Sequence, residues 1–98
     1  MMDQGEDEVL AAAIQRFPDE SAAIREHARR YQAFRDMCEE LAAAEAALVR
    51  TEAMPPGLRS ERRGECEGWI ERLTEEIGEA LARSNVVRLP PGRPGLGR

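Results

Sequence analysis

Lysine is absent from this chain: its 14 basic residues are all Arg, against 19 acids, for a net charge of -5. Aromatics are scarce as well, with one Trp, one Tyr and two Phe in 98 residues, and the 42% apolar share is inflated by Ala. So short and aromatic-poor a chain has room for one small domain. It excludes a large single core and a deep substrate pocket, so no small-molecule substrate or cofactor is expected. No apolar run approaches the ~20 residues that a bilayer span needs, so no membrane partner is expected. Met1 to Glu8 is acidic, which fits neither a secretory signal nor a transit peptide. Two Cys without such a signal point to free thiols in a reducing, cytoplasmic setting.

What is present is helix periodicity. After a polar lead over Met1 to Gly5, Val9, Leu10, Ala13, Ile14 and Phe17 fall on one face of a short helix expected over Glu6 to Phe17. Glu6, Asp7 and Glu8 suit the positive end of its dipole. Pro18 disfavours helical geometry at Phe17 and closes this first unit, residues 1–18. Asp19, Glu20 and Ser21 supply capping side chains for a second helix. With no Pro or Gly inside it, that helix is expected to run unbroken over 19–52, roughly 50 Å. Ile24, Tyr31, Phe34, Cys38, Leu41 and Leu48 are its larger side chains. From Tyr31 they step 3, 4, 3 and then 7, a heptad seam interrupted by Glu45.

The linker Ala53-Met54-Pro55-Pro56-Gly57 is a hard stop. A third helix is expected over 59–83, with Cys66, Ile70, Leu73, Ile77 and Ala80 stepping 4, 3, 4, 3. Trp69 and Leu81 flank that seam, and Gly64, Gly68 and Gly78 are placed on the opposite face. Residues 84–98, rich in Pro, Gly and Arg, read as a disordered tail.

Two seams joined by a short linker predict an all-α fold, a long antiparallel helical hairpin of coiled-coil type over residues 19–83. Charge supports the orientation: Ser21 to Asp36 carries +2 and Glu71 to Arg83 carries -2. The register sets Leu41 near Ile70, Cys38 near Leu73 and Phe34 near Ile77. Two helices leave each seam covered on one side only. Cover can come from the first helix or from a second hairpin in a four-helix bundle, and the homodimer is the preferred expectation.

The residues Phe17-Pro18, Ile24, Phe34 and Leu48 with Arg50 and Glu52 resemble the YdcH-like family of small bacterial helical-hairpin proteins of uncharacterised function. The stretch Phe34-Arg-Asp-Met-Cys-Glu-Glu-Leu to Leu48-Val-Arg-Thr-Glu52 is similar to the middle of that pattern, and the resemblance covers about Phe17 to Arg83. Family members tend to begin almost at the Phe-Pro pair, whereas 16 residues precede it here. Their return helix is usually Lys-rich, whereas this one carries Arg, Glu and three Gly. The resemblance implies a helical hairpin and brings no catalytic residues.

Chemistry-bearing residues are sparse. His27, the one histidine, lacks a nucleophile and an orienting partner in the sequence, so no catalytic set is expected. Cys38 and Cys66 lack the spacing of a metal site and read as small hydrophobes in the seams. Glu71, Glu75, Glu76 and Glu79 are without the His that a carboxylate-bridged metal site in a bundle would use, so no metal is expected. The tail from Arg88 to Pro94 matches a polyproline ligand only superficially, with Arg93 where an apolar residue is preferred.

The expected function is therefore non-catalytic. It is association with a protein partner, either a second copy or another chain to which this one is an accessory subunit or adaptor. Trp69, Ile70, Leu73, Ile77, Phe34 and Leu41 are the candidate contact residues. The alternative is a small nucleic-acid-associated regulator using Arg25, Arg29, Arg30 and Arg35, a patch opposed by the chain's overall acidity.

Overall fold

The structure, a computed structural model, describes residues 2–88, with side chains described over 8–83. The described residues are all-helical, with four α-helices among them. The first, α1 (Met2–Arg16), takes in the expected polar lead as well as the amphipathic stretch. It stops where Pro18 predicts: Phe17 leaves helical geometry at φ -130° and ψ 66°. A 3-10 turn over Pro18–Glu20 leads into α2 (Ser21–Arg30), with no capping hydrogen bond from the Glu20 side chain.

The expected single helix over 19–52 is two helices. Tyr31 is extended, φ -126° and ψ 112°, and divides α2 from α3 (Gln32–Arg50). Its N–H donates to the His27 carbonyl at 2.8 Å, and its own carbonyl accepts from Phe34 and Arg35 N–H, both at 3.1 Å. One residue thus ends one helix and starts the next. The physical reason is tertiary: at the break, α2 turns so that Ile24 and Ala28 reach the core, and that burial outweighs local helix propensity. Tyr31 itself, expected in the seam, is 53% exposed.

At the far end of α3, the buried Thr51 donates its hydroxyl to the Leu48 carbonyl at 2.6 Å, satisfying one of the last carbonyls of that helix. After a second 3-10 turn, Thr51–Ala53, the chain enters α4 (Pro56–Arg88). The stop is therefore Met54-Pro55. Pro56 and Gly57 belong to the first turn of α4, where a missing proline N–H costs nothing. Arg59 closes the corner, its guanidinium donating to the Met54 carbonyl at 3.2 and 3.3 Å. The helix reaches Arg88, so residues 84–88 of the expected disordered tail are helical; residues 89–98 lie outside the described part.

Helix α3 is the centre of the molecule, packing most extensively on α4, then on α1, then on α2. One contiguous core joins Leu10, Ala13, Ile24, Phe34, Cys38, Leu41, Ala44, Ile70, Leu73, Ile77 and Leu81. The second side of the seam is thus covered within the chain by α1 and α2. Gly78, assigned to an outer face by periodicity, instead lies under Phe17, whose ring carbon is 3.4 Å from where a Cβ would stand. Gly68 faces open space.

Two stability changes follow. Gly68→Ala removes the helix penalty of glycine, so it should stabilise by up to ~1 kcal/mol, raising the thermal midpoint by about 4–8 °C. Leu10→Ala, at a fully buried site on α1, should cost ~2–5 kcal/mol. Thermal unfolding by circular dichroism reads both; an unchanged midpoint for Leu10→Ala would mean α1 does not dock.

Candidate functional site

Five of the six candidate contact residues are consumed inside the chain. Phe34, Leu41, Ile70, Leu73 and Ile77 are buried in the shared core, and the sixth, Trp69, is half-buried against its edge. The large apolar side chains left open among the described residues are others: Val49 at 69%, Tyr31 at 53% and Leu58 at 43% exposure. Periodicity placed Tyr31 in the seam and made nothing of Val49 or Leu58.

Beside the core runs an open trough of about 430 Å³ lined by Arg16, Leu48, Glu67, Ile70, Glu71, Thr74 and Glu75. Its lining joins the apolar Leu48 and Ile70 to three carboxylates, Glu67, Glu71 and Glu75. Arg16 is held there from α1 by Glu45 of α3, Nη2 to Oε2 at 2.7 Å. Glu45 is the residue that interrupts the α3 seam. The interruption is a polar bolt between α1 and α3 across 29 residues of sequence. Both side chains are partly exposed, so the pair is worth ~0.2–1 kcal/mol and fixes geometry more than stability.

Three of the four Arg of the patch have a carboxylate neighbour on their own helix, with Glu26 shared between two of them. Glu26 pairs with Arg29 and, at 3.0 Å, with Arg30, while Arg35 lies 3.7 Å from Glu39. The hydrogen bond from Arg29, then its charge, hold the Glu26 carboxyl below its ordinary pKa. Paired in this way, Arg29, Arg30 and Arg35 offer phosphates a weaker field than their number suggests.

His27 fills the corner at the α2–α3 break. Its ring stands edge-on to Phe34 at 5.1 Å between centroids and tilted against Tyr31 at 5.5 Å. These are packing contacts of favourable aromatic geometry. Cys38 and Cys66 are both free, and only Cys38 is buried; Cys66, expected in the seam, is partly buried. Burial pushes the Cys38 thiol up to about 11, opposed by Arg35 and assisted by Glu39. Among the described residues no group of three or more His, Cys, Asp or Glu could hold a metal ion. No helix there is long and apolar enough to cross a membrane. Comparison with protein-family models, curated proteins and solved structures gives no match.

The two thiols should therefore separate kinetically. At pH 8 a disulfide reagent should modify Cys66 readily and Cys38 only after denaturant is added, because the thiolate is the reacting form. Rapid native labelling of Cys38 would contradict its burial. Cys38 also gives stability a pH dependence. The folded thiol keeps its proton to about 11, whereas an unperturbed one releases it near 9.0. The folded state thus binds more protons across that window, and stability should fall as pH rises through it. Denaturant midpoints across pH 9–11 should show a shallower fall in Cys38→Ala.

Proposed function

We propose that this chain is a non-catalytic helical protein that acts by protein–protein association, first by self-assembly and otherwise as an accessory subunit or adaptor. The observation that carries the reading is the exposure of Tyr31, Val49 and Leu58 where the other large apolar side chains among the described residues are largely packed away. Large apolar side chains open to water gain free energy when a partner covers them. An antiparallel α3–α4 hairpin is part of the proposal. Its support is the short connection between two helices that pack extensively, and the joint burial of Phe34, Cys38 and Leu41 with Ile70, Leu73 and Ile77. The YdcH-like resemblance is kept on the same footing, supported by the helix stop at Phe17-Pro18 and by helix on both sides of it.

The test is light-scattering mass over a wide concentration range, with circular dichroism on each variant. The mass should rise above 10.9 kDa with concentration. Leu73→Asp puts a carboxylate without a partner into the core, at a cost of several kcal/mol, and should lose helicity and assembly together. Glu75→Ala, at an exposed position, should change stability by less than about 0.5 kcal/mol and leave both intact. A mass fixed at the monomer value throughout would overturn self-assembly.

A further inference from the structure

Nothing in the sequence from Ser21 to Arg50 forbids helix, since the segment has neither Pro nor Gly. Yet one residue within it, Tyr31, is extended. The bonds flanking the break already have helical spacing: Tyr31 N–H to the His27 carbonyl, and Arg35 N–H to the Tyr31 carbonyl. Only the groups between them would change partners if the helix straightened. Gln32 and Ala33 N–H would then gain the carbonyls four residues earlier, bonds that a helix start leaves unmade.

The heptad runs straight through the break. Ile24, Tyr31, Cys38 and Glu45 stand seven apart, as do His27, Phe34, Leu41 and Leu48. In a continuous helix over 21–50, Tyr31 would take the seam place between Ile24 and Cys38. In the closed chain that place is lost, and Tyr31 is half in water. What opposes straightening is the arm, residues 2–30. Leu10, Ala13, Ile24 and Ala28 are buried in the core, and a lone straight chain would expose them. A second copy removes that objection, because its own arm can cover the vacated surface with the same contacts.

We propose that the partner of this chain is a second copy, joined by reciprocal exchange of the arms when Tyr31 becomes helical. This rests on the association reading and specifies its geometry. The arm of one protomer lies on α3 and α4 of the other, Arg16 pairs with Glu45 across the interface, and Tyr31 enters the seam. The hinge is a single residue between two well-formed helices, an arrangement that favours swapping.

The experiment has two arms. Tyr31→Leu keeps an apolar seam residue and improves helix propensity; Tyr31→Gly lowers it. With two hinges per dimer, the dissociation constants of the two variants should differ by at least about tenfold, Leu the tighter. The second arm is Arg16→Cys with Glu45→Cys in a Cys66→Ser background and wild-type Tyr31, treated with a short bis-maleimide at a concentration where the mass is dimeric, because an Arg–Glu pair holds its backbones further apart than a disulfide tolerates. Exchange predicts covalently linked dimers on a denaturing gel. Dimeric mass with cross-links confined within each chain would overturn exchange and leave association standing through a surface contact. Monomeric mass for both the wild type and Tyr31→Leu at every concentration would overturn exchange together with self-assembly. Because the cross-link uses wild-type Tyr31, it distinguishes these outcomes even if Tyr31→Gly folds poorly.

Discussion

Helix α3 carries more apolar surface than one neighbour can cover, and the rest of the structure answers to that. Phe34, Cys38, Leu41 and Ala44 are buried along it, with Met37, Ala42 and Leu48 partly so. A stripe this wide exceeds the narrow seam of a two-stranded coil. Helix α4 closes one side with Ile70, Leu73, Ile77 and Leu81. The other side needs Leu10 and Ala13 of α1 together with Ile24 and Ala28 of α2. Bringing those residues back requires two departures from helix, at Phe17 and at Tyr31. The fold thus uses these two bends to wrap one overly apolar helix.

The polar groups fix how that wrapping is set. Arg16 reaches Glu45 and so determines where the end of α1 lies along α3. Thr51 satisfies a carbonyl at the end of α3, and Thr74 donates to the Ile70 carbonyl at 2.7 Å within α4. No buried side-chain nitrogen or oxygen among the described residues lacks a partner, so the core carries no such desolvation penalty. Glycine is used in two ways on α4. Gly78 sits beneath the Phe17 ring, while Gly68 touches nothing and only weakens the helix.

Helix content and core were legible because they rest on periodicity and on proline. The spacing of Phe34, Cys38 and Leu41, and that of Ile70, Leu73 and Ile77, marked residues that are buried, and Pro18 marked a true stop. Tyr31 was not legible, because its break arises from burial of residues far away in sequence and leaves no local mark. Val49 and Leu58 were passed over since they lie outside both seams. Glu45 did carry a signal: a carboxylate at a seam position needs a cation, and Arg16 belongs to the one helix left to cover that side. The outward assignment of Gly78 failed because a glycine offers periodicity no side chain, whereas the space it leaves is what an aromatic ring fills.

An arm attached through one residue meets its own α3 at an effective concentration of order millimolar. At micromolar protein, exchanging identical contacts with a second chain therefore starts at a disadvantage of about 4 kcal/mol. The two hinges set the compensation. Each straightened hinge adds main-chain hydrogen bonds, each worth ~0.5–1.5 kcal/mol net. It also moves Tyr31, 53% exposed, into a seam, which adds about half of the ~1.5–3 kcal/mol that full burial of a large apolar side chain is worth. Doubled over an exchanged dimer, these gains are of the same order as the tether's advantage. The balance therefore turns on Tyr31 and on concentration, and the burial that holds the monomer closed serves equally well between two chains.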